Sequence, residues 1–143
     1  MNNIRIEDLS VGDWVQDKKG SIAQIIGIEN WSYGYVLNVR INGIDVGCVS
    51  ANAIEPIPLT QEVLKKNGFE CIEVGDKGSA TPKQYYMRYE HWRGETTWGR
   101  RDLFYDRMTK KWRFGGMNEY RFDEVHKLQH AIRFSGWDKE IEL

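Results

Sequence analysis

The stretch Tyr35-Val36-Leu37-Asn38-Val39-Arg40-Ile41-Asn42-Gly43-Ile44-Asp45-Val46-Gly47-Cys48-Val49 decides the fold. Tyr35, Leu37, Val39 and Ile41 alternate with Val36, Asn38 and Arg40, the period of a strand with two different faces. Asn42 and Gly43 both tolerate positive φ, so they suit a type I′ turn, and the stretch reads as a β-hairpin. Upstream, Ile22 to Ile28 is apolar on both faces and reads as a central strand, reached from a short strand, Asp13 to Gln16, through the Lys18-Lys19-Gly20 turn. The segment Glu29 to Gly34 reads as a loop. Downstream, Ala53 to Ile57 forms a last short strand, ended by Pro58, which has no N–H for a ladder. Five short strands in fewer than 60 residues predict a small, strongly bent barrel of SH3-like type over residues 1–59.

Thr60 opens the second module, residues 60–143, by capping a helix over 61–67 that stops at Gly68. Phe69 to Val74 reads as a strand and Gly75 to Pro82 as a mobile loop. Gln84 to Trp92, Thr97 to Tyr105 and Lys111 to Phe114 follow as an antiparallel meander, so the strands span 69–121. Asp123 caps a helix over 123–135, in which Val125, Leu128 and Ile132 recur at helical spacing and Gly136 is the stop. Glu140 to Leu143 reads as a segment pairing at a sheet edge. The fold class is therefore α+β: an SH3-like β-barrel, then an antiparallel sheet packed by one short and one longer helix.

The chain has 143 residues and six Trp, with 29% charged side chains and no apolar run of membrane-spanning length. The first residues lack a secretory signal, which predicts a cytoplasmic protein. Cys48 and Cys71 are expected as buried, reduced core residues. The net charge of −1 conceals an asymmetry: residues 1–59 balance at −3 and residues 83–121 at +5.

Three segments carry a resemblance. Leu9-Ser10-Val11-Gly12-Asp13-Trp14-Val15, the junction Glu55-Pro56-Ile57-Pro58-Leu59-Thr60 and the tail Val125-His126-Lys127-Leu128-Gln129 resemble small uncharacterised proteins encoded by bacteriophages and mobile elements of gut bacteria. The resemblance implies such an origin and a shared two-part fold. It names no catalytic residue, and Lys127 and His130-Ala131 depart from the usual tail.

Catalytic and metal chemistry find little support. His126 and His130 lie four apart on a helix, a spacing that can present two imidazoles to a metal, but two ligands are too few and His91 lies on a strand. A packing role, with His126 hydrogen-bonded to the sheet, is the expectation. A buried Cys71 would make a poor thiolate. The carboxylate pairs Asp123-Glu124 and Glu140 with Glu142 lie at a helix start and a terminus. Asp76-Lys77-Gly78 and Phe114-Gly115-Gly116 lack the Lys-Ser/Thr that follows a phosphate loop. No cofactor, metal or catalytic residue is expected.

The cluster that points to binding is Trp92, Trp98, Arg100, Arg101, Arg107, Lys110, Lys111 and Arg113. Cations neutralise phosphates, aromatic faces stack on unpaired bases, and an antiparallel sheet supplies a platform. Alternation places Trp98, Arg100 and Asp102 on one face and Gly99, Arg101 and Leu103 on the other, so an outer face of solvated Arg stems over core Trp explains the same residues. A non-enzymatic binding protein with nucleic acid as partner is the first expectation. The alternative is a protein partner or self-assembly through Trp31, Tyr33 and Tyr35.

Overall fold

The computed structural model describes residues 4–32, 34–74, 84–93, 97–106, 109–115, 120–137 and 139–143. Side chains of 72–74, 84–86, 90–93 and 97–101 are outside that description, as are the expected mobile loop 75–82, Tyr33 and Arg107. The fold is α+β, with two antiparallel sheets and two α-helices. It divides into two compact units, one of Met1–Pro58 with Glu124–His130, the other of Leu59–Asp123 with Ala131–Leu143. The longer helix, assigned by sequence to the second module alone, thus contributes its first turns to the first unit.

In the first unit, β1 (Trp14–Asp17), β2 (Ile22–Trp31), β3 (Gly34–Ile41), β4 (Ile44–Val49) and β5 (Ile54–Pro56) form one sheet in the order β4-β3-β2-β1-β5. The apolar strand Ile22 to Ile28 is its centre, as its two apolar faces require. Asn42 and Gly43 adopt φ 52° and 77°, the positive values that let the β3–β4 turn match the strand twist. The loop expected over 29–34 is instead mostly ladder. Asn30 pairs with Tyr35 and Trp31 with Gly34, because backbone pairing carries the hairpin past the end of its apolar pattern. Val15, Ala23, Ile25, Leu37, Val39 and Ile54 pack with Ile4 and Leu9 as the core.

Two register shifts flank β3, one on β2 between Ile25 and Gly27 and one on β4 opposite Leu37–Val39. Each adds a residue to the neighbouring strand and bends it. Cys48 lies in the second bulge at φ 58°. It is exposed, against the expectation of a core thiol, because β4 is an edge strand and the bulge takes Cys48 out of the inward row.

In the second unit, α1 (Gln61–Lys66) starts at Thr60, whose hydroxyl accepts from Val63 N at 3.3 Å. It ends where Phe69 N donates to Leu64 O and Gly68 takes φ 87°, a C-terminal closure that only glycine enters freely. Strands β6 (Glu70–Val74), β7 (Gln84–Arg93), β8 (Thr97–Asp106) and β9 (Lys111–Phe114) follow in a meander of that order. One face carries the core side chains Met87, Leu103, Trp112 and Phe114, with Phe122 packed against Phe114. Cys71, opposite Met87 on the edge strand β6, is exposed, so the second thiol also departs from its expected place. Among the described residues no strand lies beyond β6 in this sheet.

Helix α2 (Val125–Phe134) ends at Ser135-Gly136, with Gly136 at φ 73°. The tail expected to pair at a sheet edge has no assigned strand among the described residues, and a side chain bonds its backbone. Asn67, 4% exposed, accepts from Glu142 N at 2.7 Å and donates to Glu142 O at 2.8 Å, so its amide imitates a strand's backbone. Among the described residues no helix is long and apolar enough to cross a membrane.

Candidate functional site

Pleating sorts the residues of the second sheet. Since Phe104 pairs with Arg113, Asp102 with Arg88 and Asp106 with Lys111, these six occupy the face opposite the core. The Arg113 guanidinium lies over the Phe104 ring, 4.8 Å from its centroid, a cation–π arrangement. Arg88 Nε donates to Asp102 Oδ1 at 3.2 Å, and Arg121 is bonded to Asp106. Lys110 and Lys111 stand exposed at the β8–β9 turn, where Lys110 takes φ 57° and its N–H bonds to Asp106 O at 2.7 Å.

Of the eight residues singled out by sequence for nucleic acid, Arg113 and Lys111 are brought to this face and Lys110 to its rim. Trp92 pairs with Trp98, Glu90 with Arg100 and Tyr89 with Arg101; the side chains of those Trp and Arg residues, and the whole of Arg107, are outside the described residues. Trp112, part of the same aromatic run, is only 3% exposed and packs on Tyr105. Among the residues whose side chains are described, the aromatic ring on the outer face is Phe104, which the sequence reading did not single out. Its signal was the two-residue step from Asp102, which continues the alternation of Trp98, Arg100 and Asp102 along one strand.

In the first unit, Trp31 and Tyr35 are 41% and 54% exposed. In sequence they form one aromatic cluster, but their ladder positions are consecutive: Tyr35 is opposite Asn30 and Trp31 opposite Gly34, so the pleat sends them to opposite faces. Tyr33, the third member, lies outside the described residues.

The helix histidines have a different role from the one expected. It is His130, not His126, that bonds toward the sheet, with Nε2 donating to Asp13 Oδ2 at 2.7 Å. Asp13 also accepts from Ser10 N at 2.8 Å. Beside it, Gln129 accepts from Trp14 N and donates to Gly12 O at 3.0 Å. His126 is 1% exposed, its ring edge-on to His130, and its Nδ1 has no hydrogen-bond partner among the described residues. Burial pushes its pKa below the ordinary histidine value, opposed by the charges of Glu124 and Asp13 and reinforced by His130 and Lys127. Ser10 offers Asp13 its backbone N–H, so Asp13 ties the turn to the helix through His130. Among the described residues no three His, Cys, Asp or Glu side chains are gathered as a metal ion needs.

No protein-family model, curated protein or solved structure matches the chain.

Proposed function

We propose that this is a non-enzymatic accessory protein of the kind encoded by phages and mobile elements, working in the cytoplasm. In this reading the first unit is an SH3-like module and the sheet of the second binds single-stranded nucleic acid. The observation that carries it is the outer face of that sheet: an aromatic ring, Phe104, held under Arg113 and bordered by exposed Lys110 and Lys111. A base stacks on such a ring or on the guanidinium above it, while the lysines meet phosphates at the rim. The +5 balance over residues 83–121 supplies the field that draws a polyanion to this unit. Arg88 and Arg121, engaged by Asp102 and Asp106, shape the face more than they neutralise a ligand.

Fluorescence anisotropy of labelled single-stranded DNA and RNA tests this. Binding should weaken steeply with salt and fall in Lys110→Asn/Lys111→Gln, where Asn suits the positive φ of Lys110. Binding that ignores both changes refutes the reading.

A second reading, self-assembly through the first sheet, is favoured by one observation. Ile44 and Val46 on edge strand β4 are 67% and 40% exposed, although they pair with Ile41 and Val39 on the core side. An edge with an unfinished apolar row is a template for another strand. Sedimentation velocity should then show a dimer that Val46→Lys dissolves.

A further inference from the structure

The outer face of β2, β3 and β4 collects side chains that neither reading uses. Register places Trp31, Glu29, Gly27 and Gln24 of β2, Val36, Asn38 and Arg40 of β3 and Asp45 of β4 on that side, Val36 being 8% exposed beneath its polar neighbours. The Trp31 indole N–H donates to Glu29 Oε2 at 2.9 Å, which sets the orientation of an exposed ring. The other oxygen, Glu29 Oε1, accepts from Asn38 Nδ2 at 3.2 Å. Arg40 meets Asp45 with two nitrogens, at 2.8 and 3.4 Å, in a forked ion pair.

Glycines on both neighbouring strands explain how Asn38 lies. A Cβ on Gly27 would come within 3.0 Å of Asn38 Nδ2, and one on Gly47 within 3.2 Å of Asn38 Oδ1. The amide therefore stretches crosswise over the sheet, nitrogen toward β2 and oxygen toward β4, between two positions with no side chain. The carboxylate of Glu29 fixes that direction, since a reversed amide would set oxygen against oxygen. The result is a shallow strip with a fixed indole at one end and a guanidinium–carboxylate fork at the other. Six residues of β3 separate those ends, about 20 Å at a strand's rise.

We propose that this strip binds a neutral oligosaccharide. A sugar ring has an apolar C–H face that lies on an indole, and a rim of hydroxyls that both donate and accept. Along the strip the partners alternate to suit them: carboxylate oxygens of Glu29, the amide oxygen of Asn38, Arg40 donors and the Asp45 carboxylate. Charge selects against the other polar polymers. Glu29, Arg40 and Asp45 sum to −1, in a module balanced at −3, so a phosphate chain is repelled where a polyol is not. Orienting the indole and the amide before binding lowers the ordering cost that a flexible Trp would add. The length of the strip suits several linked rings, each with a weak contact, more than a monosaccharide.

The test is calorimetric titration of the full chain with cellotetraose, xylotetraose, maltotetraose and chitotetraose, beside a sulfated tetrasaccharide of heparin type. One or more neutral probes should bind, the sulfated one at least tenfold more weakly. Trp31→Ala, at an exposed site, should lower affinity for the binding probe more than tenfold while the circular dichroism spectrum is unchanged. Asn38→Ala should lower it severalfold. No binding by any neutral probe at millimolar concentration overturns the proposal, as does binding that survives Trp31→Ala or that favours the sulfated probe. The nucleic-acid reading concerns the other unit and is unaffected by either result.

Discussion

Asp13, with no exposed surface, receives a hydrogen bond from His130 Nε2 across 117 residues of chain. With Gln129 on the backbone of Gly12 and Trp14, this contact ties the turn before β1 to α2. Replacing Asp13 by Ala takes the acceptor from Ser10 N–H and His130 together. We expect a loss of about 2–4 kcal/mol, measured as a lower urea midpoint at unchanged m-value. His130→Ala, at a half-buried ring, should cost less than Asp13→Ala.

His126 makes stability depend on pH. Burial lowers its pKa in the folded chain, so between that value and the ordinary one of about 6.5 the unfolded chain binds more protons. The sign is therefore a stability that is full above about 6.5 and declines as pH falls toward the folded value. Asp13 and Glu124, whose charges favour the imidazolium, moderate the loss; His130 and Lys127 deepen it. Urea midpoints at pH 7.5 and pH 5.5 should differ in the wild type and differ less in His126→Leu. An equal difference in both would exclude His126 as the source.

Gly27 and Asn38 are coupled by space. Gly27→Ala puts a methyl at 3.0 Å from the amide nitrogen, so the amide must give way and its bond to Glu29 weakens. The expected cost is about 1 kcal/mol. In the double variant Gly27→Ala/Asn38→Ala that cost should largely vanish, giving a coupling energy on the same scale. Additive effects would mean that the amide moves freely.

Cys48 and Cys71 should react completely with a thiol-modifying aromatic disulfide in the native protein, with no denaturant present, because both are exposed. A buried thiol would instead react at the rate of local opening.

Much of the architecture was legible because it rests on local rules. Asn42-Gly43 named its turn, Thr60 and Gly68 bracketed α1, and the double apolar face of Ile22 to Ile28 named a central strand. What escaped depends on register. Cys48 sits in a strand pattern yet faces solvent, since one bulge residue shifts every later side chain. Tyr35 and Trp31 look like one aromatic cluster in sequence, and a single ladder position separates their faces. The tail reads as a strand because its alternation is real, and the amide side chain of Asn67 bonds its backbone at Glu142 as a strand would. Long-range pairs such as Asp13 with His130 leave no periodic trace at all. In the second sheet Trp112 looks in sequence like part of an exposed basic cluster, and its pairing with Tyr105 puts it on the core side.

The most direct test of the central claim is anisotropy of labelled single- and double-stranded DNA and RNA with the full chain, at low and near-physiological salt. Binding should prefer single strands and weaken with salt, with the salt slope reduced by about 1 to 2 in Lys110→Asn/Lys111→Gln. Absence of binding at low salt, or binding whose salt slope the double variant leaves unchanged, would contradict it.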